Sequence, residues 1–93
     1  MDTQQTQTNL IEVKLFGTPA CRRYQKMKEL VIKEAMRLDI SINLHEIGDT
    51  EHLSQINPLS LPRLYITDEL IASQNPPKPQ EIAEALVGRN FGD

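Results

Sequence analysis

The sequence predicts a small α/β domain with the element order β-α-β-α-β-β-α. Three observations carry that expectation. An alternating run, Leu10 to Phe16, is followed by a break and then by a long stripe of apolar residues at helical spacing. A second alternating run begins at Ile40, directly after that stripe. Later, a Leu-Pro step opens two short strand-like runs before a final helical stretch.

In chain order, residues 1–9 form a Gln/Thr-rich polar leader with no apolar residue after Met1. A segment with nothing to bury stays disordered, so the domain is expected over 10–93. In the first strand Ile11, Val13 and Leu15 alternate against Glu12 and Lys14. Gly17-Thr18-Pro19 breaks it. Ala20 to Leu38 then carries apolar residues at 24, 27, 30, 31, 35 and 38, one face of a long helix. Asp39 ends the helix, and Ile40 to His45 alternates as a second strand, with Ile47 as an off-phase extension. A strand, a long helix and a strand read as a right-handed unit with parallel strands. Asp49 or Thr50 caps a short helix carrying Leu53 and Ile56, which Asn57-Pro58 stops. Arg63 to Thr67 is the third strand, Asp68-Glu69 a tight connection, and Leu70 to Ser73 the fourth strand of a hairpin. After the stiff Gln74-Asn75-Pro76-Pro77-Lys78 loop, Pro79 suits the first turn of a last helix over Gln80 to Val87. Ile82, Ala83 and Leu86 face inward there, and Gly88 follows the helix end.

Ninety-three residues provide enough chain for one core. Net charge is −3, which gives no general attraction to nucleic acid or to an anionic membrane surface. There is no apolar run of transmembrane length and no basic-then-apolar leader, so the expectation is a cytoplasmic protein. The charge is uneven: residues 22–37 hold six Lys or Arg against Glu29 and Glu34, a local +4 against −7 elsewhere. A solvated helix face accounts for this pattern, and so does a positive field around the nearby cysteine.

Cys21 is the only cysteine, so an internal disulfide is excluded. It stands at the junction of the first strand and the long helix. Unpaired backbone N–H groups and the helix dipole favour an anion at such a position. Arg22 adds positive charge beside it, and Tyr24, one turn along the helix, is a candidate donor to the sulfur. The alternative is that Cys21 is a small buried hydrophobe and Tyr24 the first residue of the core stripe. His45 and His52 have no cysteine or carboxylate set at ligand spacing, so no metal and no cofactor is expected.

Phe16-Gly17-Thr18-Pro19-Ala20-Cys21 and Leu61-Pro62-Arg63-Leu64-Tyr65-Ile66 together resemble the thioredoxin-like superfamily, over residues 10–88. The local likeness is to its glutaredoxin-like and small redox-disulfide branches. The resemblance implies a four-stranded mixed sheet in the order 2-1-3-4 with helices on both faces. It also implies a cis Pro62 lying against Cys21, with Thr18, Pro19, Leu61, Pro62 and Arg63 forming a substrate or partner groove. The sequence departs from the family at one decisive place. Where the family's redox motif is Cys-x-x-Cys, this chain reads Cys21-Arg22-Arg23-Tyr24. A dithiol reductase resolves its mixed disulfide with its second thiol, and that cycle does not close within one molecule here. The Gly-Gly-x-Asp-type glutathione segment is also missing, replaced by Ser73-Gln74-Asn75-Pro76-Pro77, as is the Gly-Phe-Ser of cluster-carrying monothiol glutaredoxins.

Two functions follow from these residues. One is monothiol thiol–disulfide exchange at Cys21, resolved by an external thiol, with a protein thiol or disulfide or a low-molecular-weight thiol as partner. The other is a non-catalytic binding module that uses the Cys21–Pro62 groove to hold an extended protein segment.

Overall fold

Apolar residues at every second position of one strand need a neighbouring surface to cover them, and that requirement organises the fold. The computed structural model describes residues 10–91, so the polar leader 1–9 lies outside the described residues. The strands are β1 (Ile11–Phe16), β2 (Ile42–Ile47), β3 (Arg63–Ile66) and β4 (Glu69–Ser73). The helices are α1 (Arg22–Leu38), α2 (Thr50–Leu53) and α3 (Pro79–Phe91), with a 3-10 turn at Pro58–Ser60. One four-stranded sheet has the order β2-β1-β3-β4. β1 and β2 are parallel, with Leu15 opposite Glu46, and β3 is antiparallel to both β1 and β4.

Ile11, Val13 and Leu15 of β1, with Leu64 and Ile66 of β3, form the buried face of the sheet. Tyr24, Met27, Val31 and Ala35 of α1 and Ile82 and Leu86 of α3 cover it in one cluster. The spacing of the α1 positions is that of the predicted stripe. One charged side chain joins this face: Glu34 is buried and accepts from Arg37 Nε at 3.0 Å and Nη2 at 2.6 Å. A charge-assisted pair of this kind offsets the cost of removing the carboxylate from water.

The other face displays Glu12, Lys14, Phe16, His45, Arg63 and Tyr65, as the strand registers require. Lys14 Nζ lies 3.4 Å from Asp68 Oδ1, and His45 pairs with Glu12. Phe16 and Tyr65 meet edge to face at 5.6 Å.

Several boundaries differ from the sequence expectation: α1 starts at Arg22 rather than Ala20, α2 ends at Leu53 with Ile56 beyond it, and three further ones differ for local reasons. Asp39 ends α1 in the left-handed region (φ 57, ψ 42), so that its N–H reaches Met36 O and the Ile40 N–H reaches Ala35 O. Ile40 therefore closes a Schellman motif, and β2 starts at Ile42 rather than Ile40. The hairpin turns on Thr67 and Asp68, both at positive φ (49 and 66), with Glu69 already paired to Ile66. The last helix runs through Gly88 to Phe91, and a Cβ at Gly88 would meet nothing within 4 Å. Nothing at that glycine forces a left-handed exit, so the helix continues at the modest cost of one interior glycine.

Leu64 is 0% exposed at the centre of the cluster, whereas Leu70 is 49% exposed. Leu64→Ala is expected to lower unfolding free energy by about 2–5 kcal/mol, and Leu70→Ala by about 0.5 kcal/mol or less. Urea denaturation followed by circular dichroism measures both.

Candidate functional site

β1 and β2 end side by side, and β3 begins at the same end because it runs antiparallel to β1. The whole β2–β3 connection therefore stays at one end of the sheet, above the last residue of β1. It comes close there: the Gly17 N–H bonds Ile47 O at 3.1 Å, and a Cβ at Gly48 would lie 2.8 Å from Gly17 O. Asp49 caps α2, its carboxylate accepting from the His52 N–H at 3.1 Å. The same carboxylate holds the His52 ring at 2.7 Å, which raises the pKa of His52 and lowers that of Asp49. Asn57 then caps the 3-10 turn through Leu59 N–H, and Leu61-Pro62 returns the chain to the sheet. The Leu61–Pro62 peptide bond is cis.

On the other side of this end, the chain leaves β1 through Gly17 at φ 150. The Cys21 N–H bonds Thr18 O at 3.0 Å, and the Gln25 amide reaches Pro19 O at 2.6 Å. These bonds hold the turn against the start of α1. Cys21 is the N-cap of α1, in extended conformation, and makes no side-chain capping bond. It is partly exposed and its thiol is free.

Gly17, Thr18, Cys21, Pro58, Leu61 and Pro62 line a cavity of about 260 Å³. The structure thus brings together Thr18, Cys21, Leu61 and Pro62 of the sequence-predicted groove, and it adds Gly17 and Pro58. Pro19 and Arg22 are exposed and do not line the cavity. Arg63 is also outside it. Its Nε donates to Ser60 Oγ and its Nη1 to Tyr65 Oη, both at 3.1 Å.

Tyr24 does not support the sulfur in the way its position on the helix suggests. It is 1% exposed, and its hydroxyl donates to Glu46 Oε1 at 2.6 Å. A phenol has one proton to donate, so that proton is committed to the carboxylate. Burial first, and then the acceptor carboxylate, push the tyrosine pKa well above its ordinary value. The same bond, with Lys28 Nζ at 3.0 Å, lowers the pKa of Glu46. The ring acts on the site from beneath. A Cβ on Gly17 would lie 2.9 Å from Tyr24 Cδ2 and 3.2 Å from Pro62 Cβ, so only glycine fits between the tyrosine and the proline.

The first turn of α1 contains no acidic residue. It carries Arg22 and Arg23, with Lys26 one turn on, all exposed and without an ion-pair partner among the described residues. Lys14, Lys28 and Arg37 each pair with a carboxylate. Among the described residues no group of three or more His, Cys, Asp or Glu could hold a metal ion. No helix among them is long and apolar enough to cross a membrane.

No family model matches the sequence, and no curated protein sequence matches it. Solved structures do. The chain is similar to thioredoxin from Trypanosoma brucei brucei, at 15% identity and a TM-score of 0.56, over 92% of this chain and 83% of that one. It is also similar to glutaredoxin 1 from Francisella tularensis, solved with cacodylate, at 19% identity and a TM-score of 0.45, over 89% of this chain and 99% of that one. The thioredoxin likeness, with the observed strand order, shows the thioredoxin-like fold.

Gly17→Ala is expected to destabilise the protein by about 1–3 kcal/mol, through both the positive φ and the close contacts. Thermal unfolding reads this directly. Tyr24 generates a second expectation. Its pKa is raised on folding, so its contribution to stability is complete below the unfolded tyrosine value of about 10 and is lost as pH rises beyond it. Urea midpoints of the parent protein should fall from about pH 10 upward, and Tyr24→Phe should remove most of that fall.

Proposed function

We propose that the chain is a monothiol thiol–disulfide exchange protein acting through Cys21 on a protein disulfide or a low-molecular-weight disulfide. The carrying observation is the position of the free Cys21 thiol, partly exposed at the uncapped N-terminus of α1 and in one cavity with Pro62. The N–H groups of the first turn of a helix have no intrahelical acceptor, and a thiolate at the N-cap is placed to receive them.

In the reaction the Cys21 thiolate attacks one sulfur of the substrate disulfide. A new S–S bond joins Cys21 to that sulfur, the substrate's own S–S bond breaks, and the electron pair leaves on the second sulfur as a thiolate. An external thiolate then attacks the mixed disulfide and returns Cys21 to its starting state. Tyr24 occupies the position of a resolving thiol and is part of the core, which supports an external resolving agent. Thr18, Leu61 and Pro62 are the groove residues in this reading. In its setting the protein is a cytoplasmic partner of other thiols.

The test is incubation of the full chain with glutathione disulfide, followed by intact-mass spectrometry and by alkylation rates measured against pH. The expected result is one mixed-disulfide adduct, absent from Cys21→Ser, with alkylation at neutral pH several-fold faster than for an unstructured cysteine peptide. No adduct, together with the pH profile of the free peptide, rejects exchange. Partner binding that survives Cys21→Ser would then favour a non-catalytic groove.

A further inference from the structure

The N-terminal turn of α1 departs from the pattern of the other two helices, which carry Glu51 and Glu81 in their first turns. Negative side chains are favoured at a helix N-terminus and positive ones at its C-terminus. α1 obeys the second half, with Arg37 in its last turn, but its first turn has no acidic residue. Arg22 and Arg23 stand there instead, against the positive end of the dipole. Arg22 and Lys26 add like-charge repulsion at i, i+4 spacing. Lys14, Lys28 and Arg37 are neutralised by Asp68, Glu46 and Glu34, whereas Arg22, Arg23 and Lys26, like Lys33, Arg63 and Lys78, have no ion-pair partner among the described residues. Arg22, Arg23 and Lys26 follow Cys21 within five residues. At 1.5 Å of rise per residue they lie within about 7.5 Å of it along the helix axis. The cavity itself is lined by Gly17, Thr18, Pro58, Leu61 and Pro62 around the sulfur and holds no charged group. The charged residues that follow Cys21 in the first turns of α1 are the exposed cations Arg22, Arg23 and Lys26.

We infer that the disulfide substrate of Cys21 is carried on an acidic protein segment, with carboxylates flanking the reacting sulfur. This rests on the exchange function proposed above and specifies its substrate class. The uncharged cavity accepts the sulfur and its neighbouring apolar atoms, while Arg22, Arg23 and Lys26 attract the flanking carboxylates and raise the encounter rate. Steering of this kind changes association rates by about 10–1,000-fold and fades as salt rises. The covalent step is one exchange: Cys21 gains an S–S bond to one peptide sulfur, the peptide disulfide breaks, and the other peptide sulfur leaves as thiolate.

The test uses three synthetic peptide disulfides that differ only in the residues flanking cysteine: glutamates, lysines or serines. Mixed-disulfide formation on the full chain is followed by rapid acid quench and mass spectrometry, in low and high salt. The acidic peptide should react at least about tenfold faster than the basic one at low salt, and high salt should shrink that ratio toward one. The double variant Arg23→Glu/Lys26→Glu should reverse the preference while raising the melting temperature, because it repairs the helix end. Negative flanking groups make a cysteine thiolate a poorer leaving group, so intrinsic peptide reactivity opposes the expected order. Equal rates for all three peptides, or a preference unmoved by charge reversal, overturns the inference and leaves exchange standing. Absence of an adduct with every peptide, the serine one included, overturns exchange and the inference with it.

Discussion

The structure depends on a close approach at Gly17. The chain leaves β1 there with no side chain, and that gap lets the Tyr24 ring and the Pro62 ring close on it from two sides. A methyl group at this one position would push apart the start of α1 and the start of β3, the two segments that bring Cys21 and Leu61-Pro62 together. Dense packing transmits such a displacement, because a core near close packing has no void to absorb it. The position of the sulfur is therefore set by what lies beneath it, not by bonds to the sulfur itself.

Tyr24 joins that floor to the edge of the sheet. Its ring is in the core, its hydroxyl reaches Glu46 on the outer strand β2, and Lys28 holds the same carboxylate from the next turn of α1. A cysteine at this position would fill less of the space and would not span to Glu46. The residue that removes the dithiol cycle thus adds a structural tie between α1 and β2. The chemistry left to Cys21 is that of a single thiol in a fixed place.

Much of this was legible in the residues. The strict alternation of Ile11, Val13 and Leu15 and the stripe from Tyr24 to Leu38 specify a half-buried strand and an amphipathic helix, and both formed as read. Periodicity was less informative where the chain turns. Thr67 takes positive φ although it is β-branched, and no Asn-Gly or Asp-Gly pair marked the hairpin there. Gly88 looked like a helix end because glycine commonly is one, but nothing in the packing required it to be. At the site, the cysteine, Thr18 and the Leu-Pro step were identifiable from local context. Pro58 was not, since it reaches the cavity only through the path of the β2–β3 connection. Tyr24 and Arg63 lie near the cysteine in sequence or in the fold, yet their hydrogen bonds go to Glu46, Ser60 and Tyr65. Side-chain direction of that kind follows from tertiary packing and has no signature in spacing.

The two sides of the Cys21 cavity are anchored by different forces. Gly17 and Pro62 are wedged against the core, whereas residues 50–60, which supply Pro58, contain no fully buried residue. That stretch is held by hydrogen bonds at its surface. Ser73 Oγ donates to Ser60 O at 2.7 Å, the Gln74 amide to Leu59 O at 2.6 Å, and Ser60 Oγ to Asn57 O at 2.6 Å. Bonds of this sort exchange with water at little net cost, about 0.5–1.5 kcal/mol each. None of the residues of that stretch belongs to the buried core cluster. The cavity thus has one wall set by core packing and one wall set by hydrogen bonds at the surface.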